Sequence, residues 1–499
     1  MCYNFEILKG NKISVIRNGV KSLKLILGLI GIMLLLCVVL VIKTAMMKPT
    51  PAKMLEVPLD TSERADVYGE RLARMVRHET ISWRNQEDRT KFYEFHKLLE
   101  ELFPNVHKVC EKQVFNGSLL FKWTGKGNSE PILFLSHQDV VEATGTWKYE
   151  PFSGHIDEEG RVWGRGTADT KASLFCIFTA LEEMIVEGFV PECDVYIGSS
   201  CTEEWGGEGA PTTAEFLKEQ GVRLKLVLDE GGMVVKNPMS GVTGTYAMMG
   251  TVEKGYGDLK FTARSKGGHA SAPGKNTPLV RLGQFMAEVD KKSPFKVEMS
   301  PTVEELLKRM APNSDFGMRL LFSNVGIFKP VLLKVMPAVS PVAGAMLHTT
   351  LAFTMAKGSN GANVLPQEAS VVGNMRFIQH QPNEESIALI SKIAKKYDID
   401  TEVIYEEQPC PPVDFKGEVF KMVESVVHDI YPGVMPCPYV MTGGTDAKFY
   451  SIVSDNCIRF APIVITPEQQ SSIHGLNENI FKGALPKGVD FYKMIIKKS

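Results

Sequence analysis

The sequence predicts an α/β body, a mostly parallel sheet with helices on both faces, carrying an inserted α+β domain and an N-terminal transmembrane helix. Three observations predict it. Short apolar runs at 132–136, 195–199 and 224–228 alternate with helical stretches at 171–187 and 212–219. After residue 251 the pattern changes to the alternation of half-exposed strands. Near the N-terminus, "LILGLIGIMLLLCVVLVI" at 25–42 carries no charge.

That first run reaches about 27 Å at roughly 1.5 Å per residue, close to one hydrocarbon core. Lys9, Lys12, Arg17, Lys21 and Lys24 precede it, and Lys43 and Lys48 follow. The basic flank assigns residues 1–24 to the cytoplasm and the rest to the extracytoplasmic side. A cleaved signal usually has a shorter apolar region and an A-x-A-like site, which is missing here. The run therefore reads as a single-pass membrane anchor, with secretion after signal cleavage as the alternative. Residues 43–60, with Pro49, Pro51 and Pro58, form a linker.

The catalytic domain occupies 61–250 and 408–499, interrupted by the lid or dimerisation domain at 251–407. Two helices lie between 62 and 103. Strand and helix then alternate, which requires crossovers and a parallel sheet. In the insert, "GDLKFTARSKGGHASAP", "ASVVGNMRFI" and "TEVIYEE" read as strands, with a helix at 278–290. An apolar stretch at 295–350 lengthens the insert, and Pro330, Pro337 and Pro341 break any straight membrane helix there. It packs within the inserted domain or at a dimer contact; the sharper reading is an apolar rim for an acyl chain or a membrane-side contact.

Composition narrows the function. The chain has 499 residues, 44% hydrophobic and 23% charged, which is ordinary for a globular protein. A net charge of −2 gives no general attraction to nucleic acid. Nine cysteines without a C-x-x-C pair argue against a disulfide framework and against a cysteine zinc site.

The chemistry sits where the strands stop. "LFLSHQDVV" ends an apolar run on His137 and Asp139. "GRGTADTKAS" sets Asp169 before a helix, "SSCTEEWGGEGA" sets Glu203 and Glu204 after a strand, and "LVLDEGG" ends on Asp229 and Glu230. Open α/β sheets bind ligands beyond these carboxyl ends. Carboxylates crowded there repel one another and resist desolvation, and a divalent cation resolves the conflict. Nitrogen and oxygen donors without thiolate suit zinc, cobalt or manganese. Asp139, two residues past His137, can orient its ring. Of the adjacent glutamates, one can bind metal while the other moves a proton. Alone, a strand-end histidine is an ordinary surface residue and a glutamate pair a solvated loop; the convergence of four such ends favours a site.

In order, "SHQD", "GRGTADTK", "TEEWGGEGA", "LDEGG", "GGHASAP", "GANVLPQEASVVGNMRF", "GGTDAKFY" and "IHGLNENI" resemble the di-zinc metallopeptidase family of aminoacylase-1 and carboxypeptidase S, most nearly its carboxypeptidase S branch. The resemblance runs from about residue 65 to the C-terminus. It implies two zinc ions per chain, with Co2+ or Mn2+ as substitutes. One is held by His137, Asp169 and Asp229 (Glu230 being the rival to Asp229), the other by the shared Asp169, Glu204 and His474. It implies Glu203 as general base, His269 as an oxyanion donor often reaching across a dimer, and Asn363 and Arg376 as substrate-holding residues. Gly443, Gly444 and Thr445 would line the pocket through backbone groups. The expected reaction is hydrolysis of an amide bond beside a free carboxylate, on a small N-acyl amino acid or a short peptide. The alternatives are an aminopeptidase or dipeptidase on the same site, or a non-catalytic membrane-anchored binding protein. The expected partners are the membrane and a second copy through the inserted domain, with no nucleic acid.

Overall fold

In the strand Ile132–Leu135, Ile132 and Phe134 pack into one apolar cluster while Leu133 and Leu135 pack into another. Successive side chains point to opposite faces, so both faces of this strand are covered. Leu72, Phe95, Phe175 and Phe491 bring four helices to the first cluster, Glu63–Arg77, Thr90–Leu102, Ala172–Val186 and Leu485–Lys498. Ala214 and Leu217 bring the helix Gly209–Glu219 to the second.

The computed structural model describes residues 3–49 and 57–499, with side chains from residue 24 onward. Part of the expected linker at 43–60 therefore lies outside the described residues. The large sheet has ten strands. From one edge they run Glu111–Phe115, Ser118–Trp123, Val195–Ser199, Ile132–Leu135, Leu226–Asp229, Cys457–Arg459, Thr245–Glu253, Val234–Lys236 and Val464–Ile465, with Met435–Met441 also paired to Thr245–Glu253. The strands from Val195–Ser199 to Cys457–Arg459 are parallel. The pairs on either side include antiparallel ones, so the sheet is mixed, with its parallel part at the centre. The described cysteines are all free.

A second, antiparallel sheet runs Thr350–Lys357, Glu368–Phe377, Gly255–Arg264, Ile399–Glu407. Phe261 and Met375 on its strands meet Phe285 and Ile390 of the helices Pro278–Lys291 and Asn383–Lys396. The expected boundary at 251 falls inside Thr245–Glu253, a strand of the large sheet; the chain crosses to the second sheet at Lys254.

The stretch 295–350 does not pack only within the insert, as one reading of the sequence had it. Its helices Pro301–Met310, Phe316–Phe322, Val325–Val339 and Pro341–Ala345 lie against the large sheet. Val303, Leu307, Leu332 and Met336 cluster with Tyr246, Val252, Cys437 and Val440. Apolar spacing shows that a helix has a buried face, but not which sheet receives it. Pro330 and Pro337 also fail to break the helix, which continues through both. Each removes one backbone hydrogen bond, and the burial of Leu332 and Met336 between them holds the turns in place.

One long helix, Tyr3–Ala45, opens the described chain. Its segment Lys24–Ala45 is long and apolar enough to cross a membrane.

Candidate active site

His137 lies just past the strand Ile132–Leu135 and is buried. Its Nδ1 is 2.9 Å from the carbonyl oxygen of Asp139. A carbonyl cannot donate, so Nδ1 carries the proton and the Nε2 lone pair faces the site. The Asp139 carboxylate stands farther off, at 3.4 Å. It accepts from the Ser82 hydroxyl at 2.5 Å and from the N–H groups of Glu203 and Glu204, both at 3.2 Å. Asp139 therefore orients the ring chiefly through its backbone, while its carboxylate fixes the turn that carries the two glutamates.

Asp169 is the meeting point. Its Oδ1 is 3.0 Å from His137 Nε2, and its Oδ2 is 2.9 Å from His474 Nε2. His474 Nε2 also lies 3.0 Å from Glu204 Oε2. The Asp169 backbone is held by Glu478, whose Oε1 accepts from the N–H groups of Ala168 at 2.8 Å and Asp169 at 3.1 Å. Glu478 Oε2 accepts from Arg165 Nη1 at 2.8 Å, a fully buried pair. Gly166, in the approach, has φ of +88°, and a Cβ there would stand 2.7 Å from Val140 Cγ1. Only glycine fits that turn.

Asp229 ends its strand and accepts from the N–H groups of Glu230 at 2.8 Å and Ala447 at 2.6 Å. Glu230 lines the open cavity, while Asp229 lies beneath it. The proximity of these acids shows in their ionisation. Burial, with Asp446 and Glu204 adding repulsion against the pull of His137, pushes the Glu203 carboxyl well above the usual range. Burial and the charge of Asp169 push Glu204 up to about 7. Burial raises Asp229 to about 6 against its two N–H donors. Glu230 and Asp446 are raised well above the usual range, by burial first and then by neighbouring carboxylates. Asp169 goes the other way: its two histidines overcome burial and hold it low. Hydrogen bonds to Asp169 and Glu204 raise His474 to about 10.

Divalent cations fit this donor set. The ligand atoms of His137, Asp169 and Glu204 all lie within 4.8 Å of one another. Glu204 Oε1 is buried with no hydrogen-bond partner, an acceptor that needs a positive neighbour.

These acids open into a cavity of about 690 Å³. Asp169, Glu203, Glu204, Glu230 and His474 line it, with Glu407 as a further acid. Arg376 and Tyr256 from the second sheet, with Lys448 and Gly444 from the large-sheet side, line it as well. The Arg376 guanidinium lies over the Tyr256 ring, 4.6 Å from its centroid. A Cβ at Gly444 would stand 3.6 Å from Glu253 Oε1, 3.8 Å from Arg376 Nη1 and 3.9 Å from Lys448 Nζ, so two cations and a carboxylate meet at bare backbone.

Three expected residues stand apart from this cavity. His269 is exposed on a two-stranded ribbon, Gly268–His269 with Val364–Leu365, and its Nδ1 contacts the Ser271 hydroxyl at 2.7 Å. Asn363 lies on the same ribbon, its carbonyl accepting from the Ala270 N–H at 3.0 Å. Thr445 is buried, and both its N–H and its hydroxyl donate to Glu253, at 3.1 and 2.9 Å. Glu253 also accepts from Arg459 Nε at 2.9 Å. Thr445 thus anchors the loop below Gly444 and offers no donor to a substrate. Arg165, Glu478, Asp446 and Lys448 lie inside motifs already legible in the sequence. The signal that could have singled them out was charge within Gly-rich or apolar segments.

A family model described as peptidase family M20/M25/M40 matches residues 133–498. The chain belongs to this family. Its members include metallopeptidases and amidohydrolases, and this M20 protein is an enzyme of that class. It is 30% identical over 484 residues to an N-fatty-acyl-amino acid synthase/hydrolase of Xenopus tropicalis, covering 94% of each chain. It is 29% identical to a probable carboxypeptidase S-like protein of Dictyostelium discoideum, covering 86% of this chain and 84% of that one. In fold it resembles an M20 family metallo-carboxypeptidase from Sulfolobus solfataricus, with a TM-score of 0.66 and 16% identity over 88% of this chain and 99% of that one.

Glu478 touches no substrate, so its effect is one of position. Glu478→Ala leaves Arg165 buried without a counter-charge and frees the Asp169 backbone; breaking such a pair costs about 3–5 kcal/mol. We expect a lower melting temperature and lost turnover. Arg165→Met with Glu478→Leu should recover stability but not activity. Full activity in the double variant would show that the Asp169 backbone needs no clamp.

Proposed function

We propose that this chain is a di-zinc hydrolase of amide bonds that lie beside a free carboxylate, a carboxypeptidase or an N-acyl-amino-acid hydrolase. The observation that carries the reading is Asp169, with a different histidine on each carboxylate oxygen. That is the disposition of a carboxylate shared by two cations. His137, Asp169 and Asp229 would hold one zinc, with Glu230 as the rival to Asp229. Asp169, Glu204 and His474 would hold the other, with Co2+ or Mn2+ as substitutes. Bound there, the ions would acidify a shared water and polarise the scissile carbonyl.

Glu203 takes the proton of the attacking water and returns it to the leaving amine. Its burial beside His137, within 4.0 Å, supports that role. Arg376 supports the carboxylate preference: it lines the same cavity as the acids and its Nη1 stands near the bare backbone of Gly444, while Lys448 beside it is paired with Glu407. Tyr256, Met233, Met441 and Ile473 leave apolar surface for an acyl or side-chain group. The relatives named for N-fatty-acyl amino acids and for carboxypeptidase S favour this over an aminopeptidase or a binding protein. His269 and Asn363 act on the substrate only when the ribbon that bears them meets the cavity, by closure of the second sheet or from a partner subunit in a homodimer. We read residues 25–42 as a single-pass anchor with residues 1–24 cytoplasmic, rather than a cleaved signal, because Leu40 is the one buried residue in this lipid-length apolar run.

Glu203→Gln should keep its metal by elemental analysis and lose roughly 10²–10⁴-fold in kcat. Turnover near wild type would remove Glu203 from proton transfer. Arg376→Ala should weaken free-acid substrates by on the order of 1.5–3 kcal/mol, roughly ten- to hundredfold in kcat/KM, and spare their amides. Equal losses on acid and amide would end the carboxylate assignment. Mixing His269→Ala with Glu203→Gln chains should restore part of the activity if the imidazole comes from a partner. With mixed dimers demonstrated, no recovery would confine His269 to its own chain or to no role.

A further inference from the structure

The helix Val325–Val339 has two apolar faces. One is buried: Val325, Leu332 and Met336 pack toward the large sheet. The other points outward, with Ile327, Val331, Val335 and Val339 exposed at 51%, 46%, 40% and 73%. These four are spaced four residues apart, so they form one stripe along the helix. Phe316 and Val342, also exposed, extend the patch at both ends. Lys329 is tied back to the Met299 carbonyl at 3.2 Å, which leaves Lys334 as the exposed charge of this helix. A continuous apolar stripe of this kind calls for an occupant.

The occupant is indicated by what joins the patch. The end of the anchor helix docks where the helices Phe316–Phe322 and Val325–Val339 meet, at a bend of 114°. Thr44 is fully buried there, its hydroxyl 3.2 Å from the Ser323 hydroxyl. Lys43 Nζ donates to the Ser323 carbonyl and to Asn324 Oδ1, both at 3.4 Å. Met47 packs against the same cluster as Leu332 and Met336. The exposed apolar surface of the anchor, through Val38, Val41 and Ile42, thus runs on to the bend.

We propose that the bent helix pair and Val342 dip into the same bilayer that the anchor crosses, as a second, non-spanning membrane contact. The proposal rests on the anchor reading above. The helix Val325–Val339 has 15 residues, about 22 Å, short of the roughly 20 residues a spanning helix needs. It is apolar on its outer face rather than basic, so its target is the acyl region, not an anionic headgroup. Lys334 can reach back to the interface along its own stem. The strand Met435–Met441 supports this helix layer through Cys437 and Val440 and ends at Met441, in the cavity wall. The membrane contact is therefore one strand away from the active site.

The full chain, with Cys2 and Cys37 changed to Ser, can carry a single environment-sensitive fluorophore on a cysteine at Val331, at Leu34 in the anchor, or at the exposed Val186. Each is reconstituted in phosphatidylcholine vesicles with and without nitroxide-labelled acyl chains. We expect the probes at Leu34 and Val331 to be quenched and blue-shifted, and the probe at Val186 to be neither. Ile327→Asp with Val335→Asp should abolish quenching at Val331 and leave quenching at Leu34 and the turnover of a short soluble substrate unchanged. Quenching at Leu34 without quenching at Val331 overturns the proposal and leaves the anchor standing. No quenching at either site overturns both. A blue shift at Val331 that lipid does not quench, and that grows with protein density, assigns the stripe to a second copy and overturns the proposal.

Discussion

Asp169 is a single carboxylate with an imidazole on each oxygen, and the site is arranged around it. Such a group must be held from behind, because its own oxygens are committed forward. Glu478 does this by taking the N–H groups of Ala168 and Asp169, and Arg165 neutralises Glu478 in turn. Asp139 plays the matching part for Glu203 and Glu204. Two buried carboxylates thus serve as scaffolding so that others can face the cavity. Burial, with repulsion from neighbouring carboxylates, lifts Glu203, Glu204, Glu230 and Asp446, and burial lifts Asp229. Buried acids gathered in this way are relieved by a nearby positive charge.

Acids and cations share the cavity wall. Asp169, Glu203, Glu204 and Glu230 line it with Arg376, Lys448 and Glu407, and Arg376 and Lys448 stand near Gly444 together with Glu253. In the proposed reading, a substrate carboxylate is drawn to Arg376 and its adjacent amide lies against the acids. The Lys448–Glu407 pair at 2.5 Å keeps the lysine from being an unscreened charge. The bare backbone at Gly444 leaves room between the two cations.

Much of this was legible in the sequence because strand ends are local features. An apolar run that stops on His137, or on Asp229 followed by Glu230, declares both its strand and its exit. Asp169 and the Glu203–Glu204 pair stood out for the same reason. Glu478, Asp446 and Lys448 did not: Asp446 and Lys448 lie on the short helix Asp446–Ile452 and Glu478 just before the strand Asn479–Phe481, and their meaning depends on which distant residues they face. The helices at 301–345 show the same limit. Their buried stripe was readable, but its partner is the sheet formed by Tyr246, Val252, Cys437 and Val440, far away in the chain. Thr445 lay in the right loop, yet the buried Glu253–Arg459 pair claims both its donors, an arrangement no local pattern announces.

Lys254 joins the two sheets, between strands ending at Glu253 and beginning at Gly255. Its Nζ is fastened to the carbonyls of Ala345 at 3.0 Å and His348 at 2.8 Å. A Cβ on Gly255 would stand 2.5 Å from the Glu407 carbonyl oxygen and 2.8 Å from Pro409 N, so the outgoing and returning crossings run side by side. The chain also passes between the two bodies on either side of the helices at 301–345, which pack on the large sheet while Pro278–Lys291 and Thr350–Lys357 belong to the second. Four passages, rather than a single pivot, therefore tie the sheet that carries Arg376 and Tyr256 to the sheet whose strand ends carry the acids. The distance from Arg376 to Asp169 is thus set in part by how the helices at 301–345 pack, far from either residue.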